Sequence, residues 1–135
     1  MQFIDANVFL RFLTRDDVIK AERVKILLER AEQGEVELTT SESVICELVF
    51  VLSSPNLYNL SRERVRTLLL PIVSLRGLKL PNRSVVLRGL DLCAGTPMDF
   101  VDALAIAHME ARSVTEGYSY DEHFDGVSGI RRLEP

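Results

Sequence analysis

The chain contains few Cys and His residues, the usual ligands of zinc, and it lacks a long apolar run. Its 135 residues include two Cys and two His. No CxxC or His-rich spacing accompanies them, so we expect free thiols and no zinc site built from imidazoles. No apolar run reaches the roughly 18 residues of a membrane helix, and no signal-peptide pattern begins the chain. These absences predict a cytoplasmic protein without a membrane segment.

An excess of positive charge is also missing. The net charge of −4 argues against binding nucleic acid through bulk electrostatics. Of the 16 cationic residues, however, 13 are arginine, whose planar fork suits bidentate phosphate contacts. Solvated helix faces and ion pairs are the alternative role for each arginine. The apolar fraction of 47% and the length fit one globular domain over residues 1–135.

Short apolar strands alternate with helical patterns along the chain. The predicted strands are 3–4, 36–39, 78–80, 117–120 and 130–133, and the predicted helices are 7–13, 18–33, 41–53, 62–75, 83–93 and 97–112. Gly34 and Gly77 are predicted to end helices, and Pro71 to kink or split one. This alternation favours an α/β fold in which helices cover both faces of a parallel sheet.

Four acids end or interrupt apolar elements: Asp5, Glu47, Asp102 and Asp121. Asp5 and Asp121 follow predicted strands, and parallel sheets bind ligands beyond the carboxyl ends of their strands. A carboxylate in an apolar setting needs a donor, an opposite charge or a cation. Oxygen ligands suit Mg²⁺ or Mn²⁺. The four acids therefore predict a site for one of these ions.

Each acid also has a local explanation. Asp5 fits the cap of the helix that follows it, Glu47 fits a solvated helix border, and Asp121 fits a turn. Taken one at a time, these explanations compete with metal binding. Asn7, two residues after Asp5, is a candidate to hold the carboxylate or a metal-bound water.

Two acids three residues apart need separate treatment. Thr96 is predicted as a helix N-cap with Pro97 at the first helical position, which puts Asp99 at the third position of a capping box. Capping explains Asp99 but does not explain Asp102, one turn further along. Asp102 is therefore the better ligand candidate, and Asp99 an accessory acid.

The order of these motifs resembles PIN-domain proteins, and within them the VapC-type toxins of toxin–antitoxin pairs. The resemblance covers essentially the whole chain through FIDANVFLR at 3–11, Glu47-Leu48, DFVDALA at 99–105 and SYDEHF at 119–124. It implies a three-layer α/β/α fold with about five parallel strands and an endoribonuclease activity. The acidic quartet of the family matches Asp5, Glu47, Asp102 and Asp121 here. Ser119 stands where threonine is usual.

The chemistry expected of such a site is metal-dependent hydrolysis of RNA phosphodiester bonds. Arg11 and Arg15 follow the first motif and are the candidate RNA contacts. The expected partners are RNA, an antitoxin protein and a second copy of the chain, with the apolar segment 57–60 as a candidate contact surface. A catalytically silent RNA-binding or scaffold domain is the main alternative. A phosphatase is another, but it usually requires a second acid at the position of Asn7.

Overall fold

Parallel strand pairing organises both units of the chain. The computed structural model describes residues 1–135 and divides into two units, Met1–Arg83 and Ser84–Pro135. None of the six helices has the length and apolarity needed to cross a bilayer. Both cysteines are free thiols, as predicted.

The first unit contains a three-stranded parallel sheet and four helices. Its strands are β1 (Gln2–Phe3), β2 (Leu38–Thr39) and β3 (Leu78–Lys79), in the order β1-β2-β3. Its helices are α1 (Ala6–Thr14), α2 (Val18–Glu32), α3 (Glu42–Ser53) and α4 (Arg62–Val73). Phe3, Thr39 and Lys79 stand side by side in the register. All four helices and all three strands lie within the predicted segments or one residue from them.

Side-chain caps set the beginnings of three of these helices. Asp17 accepts from the backbone N–H of Lys20 at 3.0 Å, as predicted for the start of α2. Ser41 and Ser61 occupy the same position in α3 and α4. Gly34 follows α2 with a positive φ of 80°, which a residue without a Cβ adopts at little cost. The sequence therefore encodes these helix ends locally.

Of the kink or split predicted at Pro71, the split does not occur. α4 is continuous, and Pro71 lies in its last turn, two residues before it ends at Val73. A proline interrupts only the hydrogen bond of its own missing N–H and crowds the preceding turn. Only two helical residues follow Pro71, so the lost hydrogen bond and the crowding affect the last part of α4.

Gly77 has a different role from the predicted helix stop, since α4 ends four residues earlier. It lies against Ala31 in the last turn of α2. A Cβ placed on Gly77 would be 2.5 Å from the carbonyl carbon of Ala31 and closer still to the oxygen. The absence of a side chain thus lets the segment before β3 pass directly over α2.

The second unit contains two long helices and a two-stranded parallel sheet. Its elements are α5 (Arg83–Gly95), which begins one residue before the unit, α6 (Phe100–Ala111), β4 (Glu116–Tyr118), a 3-10 helix (Glu122–Gly126) and β5 (Arg131–Leu133). β4 pairs with β5. Gly89 of α5 lies 3.3 Å, measured from an ideal Cβ, from the side chains of Leu104 and Phe100 in α6. This glycine allows the two helices to approach closely.

Two predictions about the architecture need correction. The α/β class with parallel strands is confirmed, but the strands form sheets of three and two instead of one sheet of about five. These strands have only two or three residues each, so few ladder hydrogen bonds define each pairing. The α/β/α fold class stands, with a central sheet of three strands.

The predicted start of α6 at Pro97 is also wrong. α6 begins at Phe100, and Asp99 occupies the N-cap position without a capping hydrogen bond from its side chain. The Thr96 hydroxyl donates to the carbonyl of Leu92 at 2.7 Å and accepts from the N–H of Met98 at 3.3 Å. Thr96 therefore closes the end of α5. This leaves the Asp99 carboxylate outside the capping role that the sequence predicted for it.

Candidate active site

A close pair of carboxyl groups is the main feature of the second unit. Asp102, in the first turn of α6, lies next to Asp121, which follows β4 and precedes the 3-10 helix. Two ionised carboxylates in contact repel each other, which favours the protonated form of one of them. Asp99 contributes further negative charge close to Asp102.

The surroundings of the pair decide which carboxyl group holds the proton. Burial raises the pKa of Asp102, and the hydrogen bond to Asp121 and the charges of Asp121 and Asp99 raise it further. The pKa of Asp121 is lowered, chiefly because the backbone N–H of His123 donates to its carboxylate at 2.9 Å. Of the two, Asp102 therefore holds a proton more readily, and Asp121 is the stronger acid.

Several groups fix the position of Asp121. The Ser119 hydroxyl accepts from the backbone N–H of Asp121 at 3.0 Å. The Nδ1 atom of His123 lies 3.1 Å from the Asp121 carboxylate. Arg132 of β5 donates to the Ser119 carbonyl at 2.9 Å, with its side chain only 14% exposed. Ser119 therefore contacts the backbone of Asp121 through its own hydroxyl, and it contacts the strand β5 by way of Arg132.

The first unit holds the other two acids, Asp5 at the start of α1 and Glu47 within α3. Asp5 takes the N-cap position of α1, but its side chain makes no capping hydrogen bond. The Thr40 hydroxyl donates to the Ile4 carbonyl at 2.9 Å, which ties the residue before Asp5 to the end of β2. Glu47 is exposed in the second turn of α3, and Asn7 is exposed at the second position of α1. The capping explanation of Asp5 therefore does not hold.

The order and setting of these residues agree with a comparison to known families. A family model for the PIN domain matches residues 3–130, which is nearly the whole chain and includes all four acids. The chain is a PIN domain. A comparison with curated proteins found no match. The PIN superfamily includes nucleases, and divalent metals are typical of these enzymes.

The acids of this PIN domain have the chemistry of a hard-cation site. Within either unit, no group of three or more Asp, Glu, His or Cys side chains is already arranged as a metal centre. In the second unit, however, Asp102 and Asp121 lie close together and Asp99 adds negative charge. Repulsion among carboxylates is relieved either by a proton or by a cation with oxygen ligands. The residues present therefore fit Mg²⁺ or Mn²⁺.

The two arginines predicted to contact RNA are both near α1. Arg11 is half-buried within the helix, and Arg15 caps its end with a positive φ of 56°. Arg15 donates to Glu22 at 2.7 Å, with both side chains about half exposed. An exposed ion pair of this kind contributes little, so the PIN domain could exchange it for a phosphate contact at small cost.

Arg132 is a supporting residue that the sequence reasoning missed. Its guanidinium also bonds Asp125 and Glu134, and these carboxylates raise its pKa above the usual range. Neighbouring residues in a strand point to opposite faces. One arginine of the pair Arg131-Arg132 is therefore expected to point toward the protein. This alternation is the sequence feature that could have identified Arg132.

The pair of acids predicts that Asp102→Asn stabilises the metal-free protein at pH 8. Because the pKa of Asp102 is raised on folding, its carboxyl supports the fold fully below its ordinary value of 3.8 and loses that contribution as pH rises through the folded pKa. An asparagine amide keeps a donor toward Asp121 without the charge. We expect a Tm higher by about 2–4 °C at pH 8 and a smaller difference near pH 4, measured by circular dichroism.

Asp121→Asn is the matched control for that prediction. The pKa of Asp121 is lowered on folding, so its carboxylate supports the fold above pH 3.8 and ceases to do so as pH falls through the folded pKa. Its substitution should lower the Tm at pH 8. Equal shifts of the same sign in both variants would contradict the opposite pKa shifts of Asp102 and Asp121.

Proposed function

We propose that this PIN domain is a Mg²⁺- or Mn²⁺-dependent endoribonuclease that hydrolyses phosphodiester bonds in RNA. The Asp102–Asp121 pair supports the proposal most directly, since it keeps two carboxyl groups in contact despite their repulsion. Such an arrangement is costly to stability and is typical of functional sites. The fold alone would not require it.

Asp5, Glu47, Asp102 and Asp121 are the proposed metal-binding residues, with Asp99 as an accessory. When bound, a divalent ion orients and activates water and neutralises the charge that grows on the phosphate. Ser119 and His123 position Asp121, and Asn7 is proposed to support Asp5. Four carboxylates without a cation repel RNA, so Arg11 and Arg15 are proposed to receive its backbone phosphates.

Cleavage of a labelled single-stranded RNA with and without EDTA tests the proposal. We expect cleavage with Mg²⁺ or Mn²⁺, its loss with EDTA, and its loss in Asp5→Asn purified in the same way. Asp17→Asn is the control, because asparagine caps α2 as well as aspartate does. Cleavage that persists in EDTA or in Asp5→Asn would refute the proposal.

A catalytically silent RNA-binding or scaffold domain is the alternative function. It predicts RNA binding without cleavage at any concentration of either metal. The Asp102–Asp121 pair argues against it, since a silent domain has no need for two acids held together at a cost to stability. A phosphatase is disfavoured by Asn7, because a second acid is usual at that position.

We further propose that the protein is the VapC-type toxin of a cytoplasmic toxin–antitoxin pair and forms a homodimer. Apolar side chains on the first unit support a protein partner: Phe50 is 69% exposed and Leu57 56% exposed. An apolar groove between α2 and α4, lined by Leu28 and Ile72, offers a further contact surface. A small adjacent reading frame whose product suppresses RNA cleavage would support this assignment, and its absence would favour a free nuclease.

A further inference from the structure

A cavity of about 290 Å³ lies beside the carboxyl pair of the second unit. The segment between α5 and α6, residues 95–98, forms one wall, and the 3-10 helix with Val127 forms the other. His123 lies in this second wall while its Nδ1 contacts the Asp121 carboxylate at 3.1 Å. One residue thus belongs to both the cavity and the proposed catalytic site.

The lining combines apolar surface with a few polar groups. Met98, only 2% exposed, and Val127 provide apolar contacts. The imidazole of His123 provides a flat ring, and Glu122 provides a carboxylate with two acceptor oxygens. Flat rings that stack on a base, together with acceptors for its Watson–Crick edge, are the elements by which proteins read single-stranded RNA.

Two glycines line the cavity, one in each wall. Gly95 ends α5 and Gly126 ends the 3-10 helix, and a Cβ on either would meet no atom within 4 Å. The volume is just below the range of about 300–1,000 Å³ for drug-sized ligands. A single planar base fits this size better than a longer stretch of RNA.

We propose that this cavity binds the nucleobase next to the scissile phosphate and favours guanine. The proposal rests on the endoribonuclease function proposed above. Guanine presents two adjacent N–H donors, N1 and N2, which one carboxylate can accept together. Glu122 is the acceptor, and His123 supplies the stacking surface while it positions Asp121. Uracil offers a single N–H that lies between two carbonyl oxygens, and a carboxylate repels these oxygens.

The test compares RNAs that differ only in the base beside the cleavage site. We expect wild type to cleave the guanine substrate about tenfold or more faster than the uracil substrate. Gly126→Leu, which fills open space in the wall, and Glu122→Gln, which removes the second acceptor, should reduce this ratio toward one. Ser128→Leu adds a similar side chain two residues away, at an exposed position outside the lining, and should keep the ratio.

Binding without catalysis separates this inference from the proposed function. In the metal-free ¹⁵N-labelled protein, guanosine should shift the amide signals of residues 95–98 and 122–127 at lower concentration than uridine does, and Gly126→Leu should abolish the difference. RNA cleavage without base preference and without these shifts would overturn the cavity assignment alone. Guanosine binding in a protein that cleaves no RNA would overturn the nuclease and support the cavity as a base-binding site.

Discussion

Asp102→Asn is expected to lower metal-dependent RNA cleavage by roughly 10³-fold or more. A carboxylate that binds the catalytic ion contributes several kcal/mol to transition-state stabilisation, and about 4 kcal/mol corresponds to 10³ in rate. Asparagine preserves the size of the side chain and can donate to Asp121, so the second unit should keep its fold. The measurement is the initial rate with saturating Mg²⁺ or Mn²⁺, compared at equal protein concentration.

Two further observations make this expectation specific. The same variant should be more stable than wild type without metal at pH 8, so the loss of activity and the gain in Tm should occur together. If the variant lost activity because it was destabilised, its Tm would instead be lower than that of wild type. Asp91→Asn, on the exposed side of α5, makes the same chemical change away from the carboxyl pair and should cleave at the wild-type rate. Cleavage by Asp102→Asn within tenfold of wild type would remove this residue from the site.

The sequence was most informative where a single residue determines local structure. Asp17, Ser41 and Ser61 lie at the starts of helices that the sequence predicts, and each supplies an acceptor for a backbone N–H three residues later. The distinction between Asp99 and Asp102 also depends on a local pattern. The capping box behind it does not form, and Asp102 as the better ligand candidate stays a prediction.

The sequence was least informative where distant segments meet. The alternation along β5 indicates that one arginine points toward the protein, but it does not indicate that the guanidinium of Arg132 holds the Ser119 carbonyl, thirteen residues earlier. The contact between Asp102 and Asp121 likewise depends on a loop geometry set by Ser119 and His123. Such contacts arise from tertiary packing, which local patterns of polarity and turn residues do not specify.

Gly77→Ala is expected to destabilise the protein by about 3 kcal/mol or more, with a Tm lower by roughly 10 °C. The added methyl group would overlap the backbone carbonyl of Ala31, which no change of rotamer can relieve. The Ala31 carbonyl also accepts from Gly34 at 3.0 Å, and the Gly77 carbonyl accepts from Leu38 of β2 at 2.9 Å. Either segment could move away only by losing hydrogen bonds that hold the sheet or the end of α2.

Variants at two other glycines distinguish the effect of this overlap from the general effect of replacing a glycine. Gly34→Ala meets no atom but must adopt a φ of 80°, which costs about 1 kcal/mol. Gly95→Ala has open space without a positive φ at the end of α5, so its stability should stay within about 1 kcal/mol of wild type. Thermal unfolding should therefore rank the variants Gly95, Gly34 and Gly77 in order of increasing loss. If the Gly77 variant were as stable as the Gly34 variant, overlap with the backbone would cost no more than a strained φ. The segment before β3 would then not pack closely on α2.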